Sequence, residues 1–473
     1  MQRRLIRVRR IVGLLLVFAL VVAACGDDDD AQPTTTAAAD TTAAGDTATT
    51  TTAAPAEAVV IDYWLWDDRQ QPFYEQCAAD FEAANPGIDI QISQFGWGDY
   101  WTGLTTAFAS DTAPDVFTDH LAKYPEFVNS GVLLPLNEFA ARDGVEDIFF
   151  PGLADLWVDP DGNRYGFPKD WDTIAVAANQ AMLADAGLTV DDFAAATWNP
   201  DDGGTFEGLL RRLSIDANGV RGDEDGFDPS NVAVYGFGIE GNFGPYGQTT
   251  FSAFAASTGF EFLNSNPWGT AANYDDPRLA ATISWFRHGI EEGFIAPLED
   301  TQSLGGLTLY QNGTVATMTN GSWTINSYAE TDGVTTEWAP LPAGPEGRRS
   351  MFNGLADSIT TSAEDPEAAW KWVRHLASPD CQNIVGDGAI VFPAIAEATE
   401  RAKAGHAANG IDVSAFTTHV EEGTTFLFPI TNSASQVESI LAPVMDAILL
   451  GEEDDAQGAL SAANEQVNAL LGN

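Results

Sequence analysis

The chain has 473 residues, with 69 acidic against 21 basic side chains and a formal net charge of -48. Such a balance leaves no basic face to neutralise phosphates and excludes nucleic acid as a partner. With 45% hydrophobic and 11% aromatic residues, the chain has core material for more than one small domain, and its length fits two lobes of ordinary size.

At the amino terminus, Arg3, Arg4, Arg7, Arg9 and Arg10 precede an apolar run over 11–22. A basic start, a short apolar stretch and small residues make a secretory signal over 1–24. The apolar run falls short of the roughly 20 residues a comfortable span needs. The end of the signal, Val22-Ala23-Ala24-Cys25, resembles the bacterial lipobox, which implies that Cys25 is lipidated and becomes the first mature residue. Residues 25–57 open on Asp27 to Asp30 and continue as a Thr/Ala tract. They carry almost nothing large and apolar, so they cannot offset their ordering entropy and read as a disordered tether.

From about residue 58 the pattern becomes that of a folded body. Val59, Ile61, Tyr63 and Leu65 alternate with Val60, Asp62 and Trp64, which predicts a strand. A helix follows, with Pro72 near its start, Phe73, Cys77 and Phe81 on one side, and Asn85-Pro86-Gly87 as its stop. Ile88, Ile90 and Ile92 alternate in a second strand. A helical run over about 100–110 leads to a third strand at Asp115-Val116-Phe117-Thr118. Strand–helix–strand order of this kind predicts mixed, mostly parallel sheets flanked by helices. Farther on, Asp365-Pro366 caps a helix with Trp370, Val373 and Leu376 on one side, and Ser378-Pro379 opens another that holds Cys381. Two apolar stripes close the chain: Val437, Ile440, Leu441, Val444 and Ile448, then Leu460, Ala463, Val467 and Leu470. No later segment is apolar enough to span a membrane.

Catalytic signatures are scarce. The five histidines have no zinc-protease spacing, and neither a nucleophile elbow nor a phosphate loop appears. Gly236, Gly238 and Gly241 match a dinucleotide fingerprint, but Phe243-Gly244-Pro245 follows, which is turn chemistry and cannot open a helix over a pyrophosphate. Asp216, Asn218, Asp223 and Asp225 place oxygen ligands at short spacing, as a structural calcium would need, although the glycine comes early and no closing glutamate follows. An acidic surface loop is the simpler reading of the same residues. With Cys25 lipidated, Cys77 and Cys381 are a single remaining pair in an oxidising compartment; a disulfide and two buried thiols both stay open. Aromatic residues stand beside turns and polar groups at predicted strand ends: Trp64 and Trp66 with Asp67 and Asp68, the Gly96-Trp97-Gly98-Asp99-Tyr100-Trp101 loop, Lys169 to Thr173, Gly321-Ser322-Trp323 and Phe352-Asn353-Gly354. Flat rings flanked by carboxylates and amides suit a sugar, because rings pack on its C–H faces while polar groups bond its hydroxyls.

These segments, in this order, resemble the family-1 extracellular solute-binding proteins, relatives of the maltose-binding protein. The segments that carry the resemblance include Tyr63-Trp64-Leu65-Trp66, Ala113-Pro114-Asp115-Val116, Tyr165-Gly166-Phe167-Pro168, Asn312-Gly313-Thr314-Val315 and Trp338-Ala339-Pro340-Leu341-Pro342. The resemblance implies a two-lobe, periplasmic-binding-protein-like (type II) α/β fold with the ligand in the cleft. One lobe would hold about 58–172 and 353–395, the other about 173–352 and 396–473. Cys77 and Cys381 would share the first lobe, compatible with a disulfide. The implied function is capture rather than catalysis: a lipid-anchored, extracytoplasmic monomer, with no cofactor beyond the candidate calcium, delivers a sugar or short oligosaccharide to permease subunits driven by a cytoplasmic ATPase. Stacking would fall to Trp66, Trp171, Trp323 and Tyr246. Hydroxyl binding would fall to Asp67, Asp119, His120, Asp170, Asp172 and Asn353. Two rivals stand beside it. A non-sugar solute is one, such as a polyamine, amino acid or glycerophosphodiester, the cation suiting the acids near Trp66 and Asp170. A secreted carbohydrate-active enzyme is the other, which needs two acids about 5–10 Å apart.

Overall fold

The structure is a computed structural model that describes residues 58–241 and 243–472. The expected signal, the expected lipidation site Cys25 and the expected tether lie outside the described residues. Among the described residues twelve strands run in chain order: β1 (Val59–Leu65), β2 (Ile88–Gln94), β3 (Val116–His120), β4 (Phe167–Asp172), β5 (Ile174–Asn179), β6 (Ile215–Asp216), β7 (Val232–Gly238), β8 (Val315–Gly321), β9 (Thr336–Ala339), β10 (Ser350–Ile359), β11 (Phe392–Pro393) and β12 (Thr425–Leu427). They form two sheets, and each sheet is the centre of one lobe. The first has the order β11-β4-β10-β3-β1-β2, with β12 beside β10; the second has the order β6-β7-β8-β5-β9.

Alternation along β1 buries Ile61, Tyr63 and Leu65 and leaves Val60 and Asp62 exposed. The helix after it spans Gln71–Ala84 and packs Tyr74, Cys77, Ala78 and Phe81 inward. Asp365 caps the helix Pro366–Leu376 by accepting from Ala368 N–H, as its place before proline predicts.

Both lobes are α/β with mixed sheets, but the expectation of mostly parallel pairing needs correction. β1 pairs parallel with β2 and β3, β7 with β8, and β10 with β12. The remaining pairs are antiparallel: β10 with β3 and β4, β11 with β4, β5 with β8 and β9, and β6 with β7. The cause is the crossing itself. A parallel pair needs a long crossover connection, whereas β4 runs through Thr173 straight into β5 of the other sheet, and β10 brings the chain back alongside it. Ser350 clips this passage, donating to Ile174 O at 3.3 Å and accepting from Ile174 N at 2.9 Å.

A second correction concerns the lobe boundary drawn at 396. The helix Ala396–Ala408 packs on Pro379–Gly388 and β11, in the first lobe. Small residues let it approach closely: a Cβ on Gly386 would lie 2.4 Å from Ala398 O. The chain changes lobe after this helix, since Ser414–Glu421 packs on β5 and β9.

Cys77 and Cys381 are joined, with Sγ atoms 2.10 Å and Cα atoms 5.2 Å apart, linking helices Gln71–Ala84 and Pro379–Gly388 of the first lobe. The bond bridges 304 positions, so it constrains a long loop of the unfolded chain. Replacing both cysteines by alanine is expected to cost about 2–4 kcal/mol of stability, read as a fall in denaturation midpoint that reductant reproduces in the parent. A midpoint insensitive to both would show the link to be energetically idle.

Candidate ligand-binding cleft

A cavity of about 750 Å³ opens between the lobes, where β4 and β10 cross. From the first lobe it is lined by the segment after β1 (Trp66 to Gln70), by Trp97 and Trp101, by His120 at the end of β3, and by Asp170 to Asp172 and Asn353. From the second come the turn Phe243 to Thr249, Ser322 to Thr324 and Phe428. In open sheets, the carboxyl ends of parallel strands are where ligands sit; β1 and β3 are such strands.

Trp66 keeps its expected place. Its ring meets Trp97, Tyr100 and Trp101 at centroid distances of 5.1, 5.2 and 5.4 Å. Trp97 is 52% exposed and Trp101 is four residues on, one helical turn away; both rings reach the cleft. The aromatic loop over 96–101 is visible in the sequence, but Trp97 and Trp101 are not among the expected ligand-binding residues. The helical spacing of the two tryptophans beside flanking glycines is the signal that finds them. Trp323 also lines the cavity, in the short helix Ser322–Thr324. A Cβ at Gly321 would fall 1.9 Å from its ring, so only glycine there leaves the indole where it is.

Two stacking assignments change. Trp171 edges the cavity but its ring is 2% exposed. The ring stacks on Phe352 and Phe392 with centroids 5.9 and 4.8 Å away, and its Nε1 donates to Thr399 Oγ1 at 3.2 Å. Period two along β4 puts Asp170 and Asp172 on one face and Trp171 on the other. Tyr246 is buried against Phe428 at 5.0 Å, so it offers its hydroxyl more than its face.

Among the acids, Asp119 leaves the site. It is fully buried, accepts from His120 N at 2.8 Å and Ser358 Oγ at 3.2 Å, and does not line the cavity. Burial pushes its carboxyl well above the usual range. Asp67 lines the cavity, but its carboxylate is spent on starting the next helix: it accepts from Arg69 N, Gln70 N and Gln70 Nε2 at 2.9, 3.3 and 2.8 Å. Asp170 accepts from Leu355 N at 3.2 Å, and burial raises it to about 7 against the opposing pull of Lys169. Asp172 accepts from Gln248 Nε2 at 2.8 Å and lies 3.1 Å from Asn353 Nδ2. Burial first, and the charge of Asp170 second, push Asp172 well above the ordinary carboxylate range. Burial lowers His120 to about 3, helped by Lys123.

Five buried polar atoms of cavity-lining residues have no protein partner: Trp101 Nε1, Asp170 Oδ2, Tyr246 Oη, Ser322 Oγ and the second carboxamide atom of Asn353. Buried polar groups normally pair, so these five are what a bound molecule would satisfy. Beneath them Lys169, 3.3 Å from Asp357 with both side chains 3% exposed, is closed off by Tyr63 and Thr118.

Asp216 spends its carboxylate on the backbone N–H groups of Asn218, Val220 and Asp228, while Asp223 and Asp225 are exposed. Among the described residues no group of three or more His, Cys, Asp or Glu converges to hold a metal. The glycine fingerprint is packing too: a Cβ on Gly236 would lie 2.1 Å from Leu210 O. Among the described residues no helix is long and apolar enough to cross a membrane.

A two-lobe α/β body with a ligand-sized cleft at the chain crossings defines a solute-binding protein. Residues 76–409 match the family model for bacterial extracellular solute-binding protein, and the chain belongs to that family. A binding protein of Brucella abortus strain 2308 is 25% identical over 416 residues, covering 85% of this chain and 90% of the relative. Among solved structures, Lmo0181 of Listeria monocytogenes, an ABC substrate-binding protein in complex with cycloalternan, is similar with a TM-score of 0.74 at 17% identity, covering 88% of this chain and 100% of that one. UspC of M. tuberculosis superposes with a TM-score of 0.69 at 24% identity, covering 87% and 100%. The GacH receptor of Streptomyces glaucescens GLA.O, solved unliganded and with acarbose, gives 0.70 at 18%, covering 88% and 99%.

Contacts across the mouth hold the lobes together. Arg69 makes a two-pronged ion pair with Glu330, both bonds 2.9 Å. Glu126 accepts from Ser435 N at 2.6 Å and Ser435 Oγ at 2.8 Å. The Arg69–Glu330 pair is one-third to two-thirds exposed, 34% and 64%, so screening limits it to about 1 kcal/mol. Glu330→Ala is expected to shift the lobes toward an open form by at most about fivefold, seen as a larger radius of gyration in small-angle scattering. An unchanged scattering curve would mean the pair does not restrain the mouth.

Proposed function

We propose that this chain captures a sugar or short oligosaccharide in the cleft and delivers it to permease subunits driven by a cytoplasmic ATPase. Its role is capture rather than chemistry, performed as a monomer. Lipid on Cys25 would hold it to the outer face of the membrane, with 25–57 as the tether.

One observation carries the ligand class: indole rings of Trp66, Trp97, Trp101 and Trp323 share a cavity with five unpartnered polar atoms. Rings suit the apolar faces of a sugar, and scattered single donors and acceptors suit its hydroxyls. The cavity volume lies within the range of small-molecule sites. Support also comes from similarly folded proteins solved with cycloalternan, acarbose, tagatose and mannotriose.

The test is thermal stabilisation of the purified mature protein against mono-, di- and trisaccharides. A true ligand at a hundred times its Kd is expected to add about 2.7 kcal/mol. Trp323→Ala, which removes an aromatic wall without touching the first lobe, is expected to weaken that ligand about ten- to a hundredfold. A panel in which no carbohydrate shifts the midpoint would sink the sugar assignment.

A further inference from the structure

Hydrogen-bond counting on the cleft floor locates one proton. His120 Nδ1 accepts from Ala122 N–H at 3.0 Å, so that nitrogen carries no hydrogen. Burial keeps the ring neutral, and a neutral imidazole with a bare Nδ1 has its proton on Nε2. Nε2 therefore donates. One end of the Asn353 carboxamide lies 3.1 Å from His120 Nε2, and the same end lies 3.1 Å from Asp172 Oδ2. If that end were the amino group, two donors would face each other at His120. If it is the oxygen, His120 is satisfied, and Asp172 Oδ2 must then bring a hydrogen of its own. The two ends of a carboxamide have nearly the same shape, so the exchange moves no heavy atom. Gln248 already donates to the other Asp172 oxygen at 2.8 Å. Only with a protonated Asp172 does each contact from Ala122 through His120, Asn353 and Asp172 to Gln248 pair a donor with an acceptor.

We propose that Asp172 is held as a neutral acid that donates from Oδ2 to Asn353, and that this makes the cleft select an uncharged, hydroxyl-bearing ligand over a cation. The inference rests on the solute-binding reading for where the ligand lies, and it sharpens the ligand class. The freed amino group of Asn353 becomes a donor within a cavity-lining side chain. The charged and titratable groups facing Asp172 around the cavity are Asp170 on its own strand, His120 and Lys123, Asp67, Asp68 and Arg69, Tyr246 from the turn Phe243 to Thr249, and Glu438 from the helix Ala434–Leu449. Of these, Asp170 acts on it most directly and favours the protonated form.

The pH dependence has a definite sign. A carboxyl raised above its ordinary value of 3.8 holds a proton in the folded chain that the unfolded chain releases, so its contribution to stability falls as pH rises through the folded value. Asp172→Asn copies the donor and acceptor of the neutral acid and cannot ionise. Its melting temperature is expected to gain steadily on the parent's from pH 5 to pH 9, by on the order of 2 °C. An ionised Asp172 accepting from Asn353 would instead make the same variant set amino group against amino group and lose stability at every pH, which overturns the proposal. Nitrogen-15 spectra of the parent protein supply a second readout: at pH 7, His120 is expected to show a protonated Nε2 and a bare Nδ1, and the reverse pattern overturns it. Neither readout involves a ligand, so a failed sugar panel and a failed proton assignment are separate results. Putrescine is expected to leave the melting temperature at pH 7 unchanged; stabilisation by this dication would overturn the selectivity.

Discussion

The antiparallel pairing of β4 with β10 is the constraint on which the cleft depends. Both strands belong to the first sheet, and both continue toward the second lobe, so their register decides which side chains meet at the crossing. Asn353 lies opposite Asp172, and Leu355 opposite Asp170. Because successive residues alternate faces, Asp170 and Asp172 arrive together, while Trp171 is turned into the aromatic interior with Phe352 and Phe392. A slip of one residue would exchange them. Placement of the acids is thus a matter of backbone pairing, and the ligand chemistry is imposed on it afterwards.

The electrostatics of the chain divide sharply between surface and floor. A net charge of -48 is spread over solvated carboxylates, which keeps such a protein soluble. The buried acids at and behind the floor behave differently because they are dry: desolvation is the first cause of the upward shifts at Asp170 and Asp172 in the cavity wall and at Asp119 behind it. Asp357, nearby, is matched instead by Lys169, whose amino group also lies 3.9 Å from the ring centroid of Tyr74. A buried pair of this kind adds little net stability but is costly to break, because the survivor is left unpaired.

Much of this was legible in the sequence, and what was not has identifiable causes. Strand β1, the proline-started helices and the Asp365 cap follow from local periodicity and capping, which act over a few residues. The cleft positions of Trp66, His120, Asp170, Asp172, Tyr246, Trp323 and Asn353 were reachable because the resemblance places them after strands, at the crossings and in the second lobe's Gly-rich loop. Trp171 and Asp119 were misread because strand direction and facing depend on partners far along the chain: Phe392 for one, Ser358 for the other. Trp97 and Trp101 were missed for a related reason, since a ring at a helix start reaches a cleft only if the preceding loop is aimed there. In the acidic loop, Asp216 accepts from backbone N–H groups, a use that ligand-like spacing does not distinguish from metal binding. Helix Ala396–Ala408 belongs to the first lobe because it follows β11 directly and packs closely where Gly386 leaves room.

Strand order carries one further consequence. β10 sits between β3 and β4, with its residues arriving only after the entire second sheet has been spelled out. Whenever the polypeptide emerges from its amino end, as from a ribosome or a secretion pore, more than 170 residues separate the end of β4 from the start of β10. Until the latter appears, β3 and β4 present bare edges, the kind that invite pairing with other chains. The earliest portion to emerge is therefore among the last to be finished, and the cell must shield an incomplete half-molecule while the rest is still being threaded.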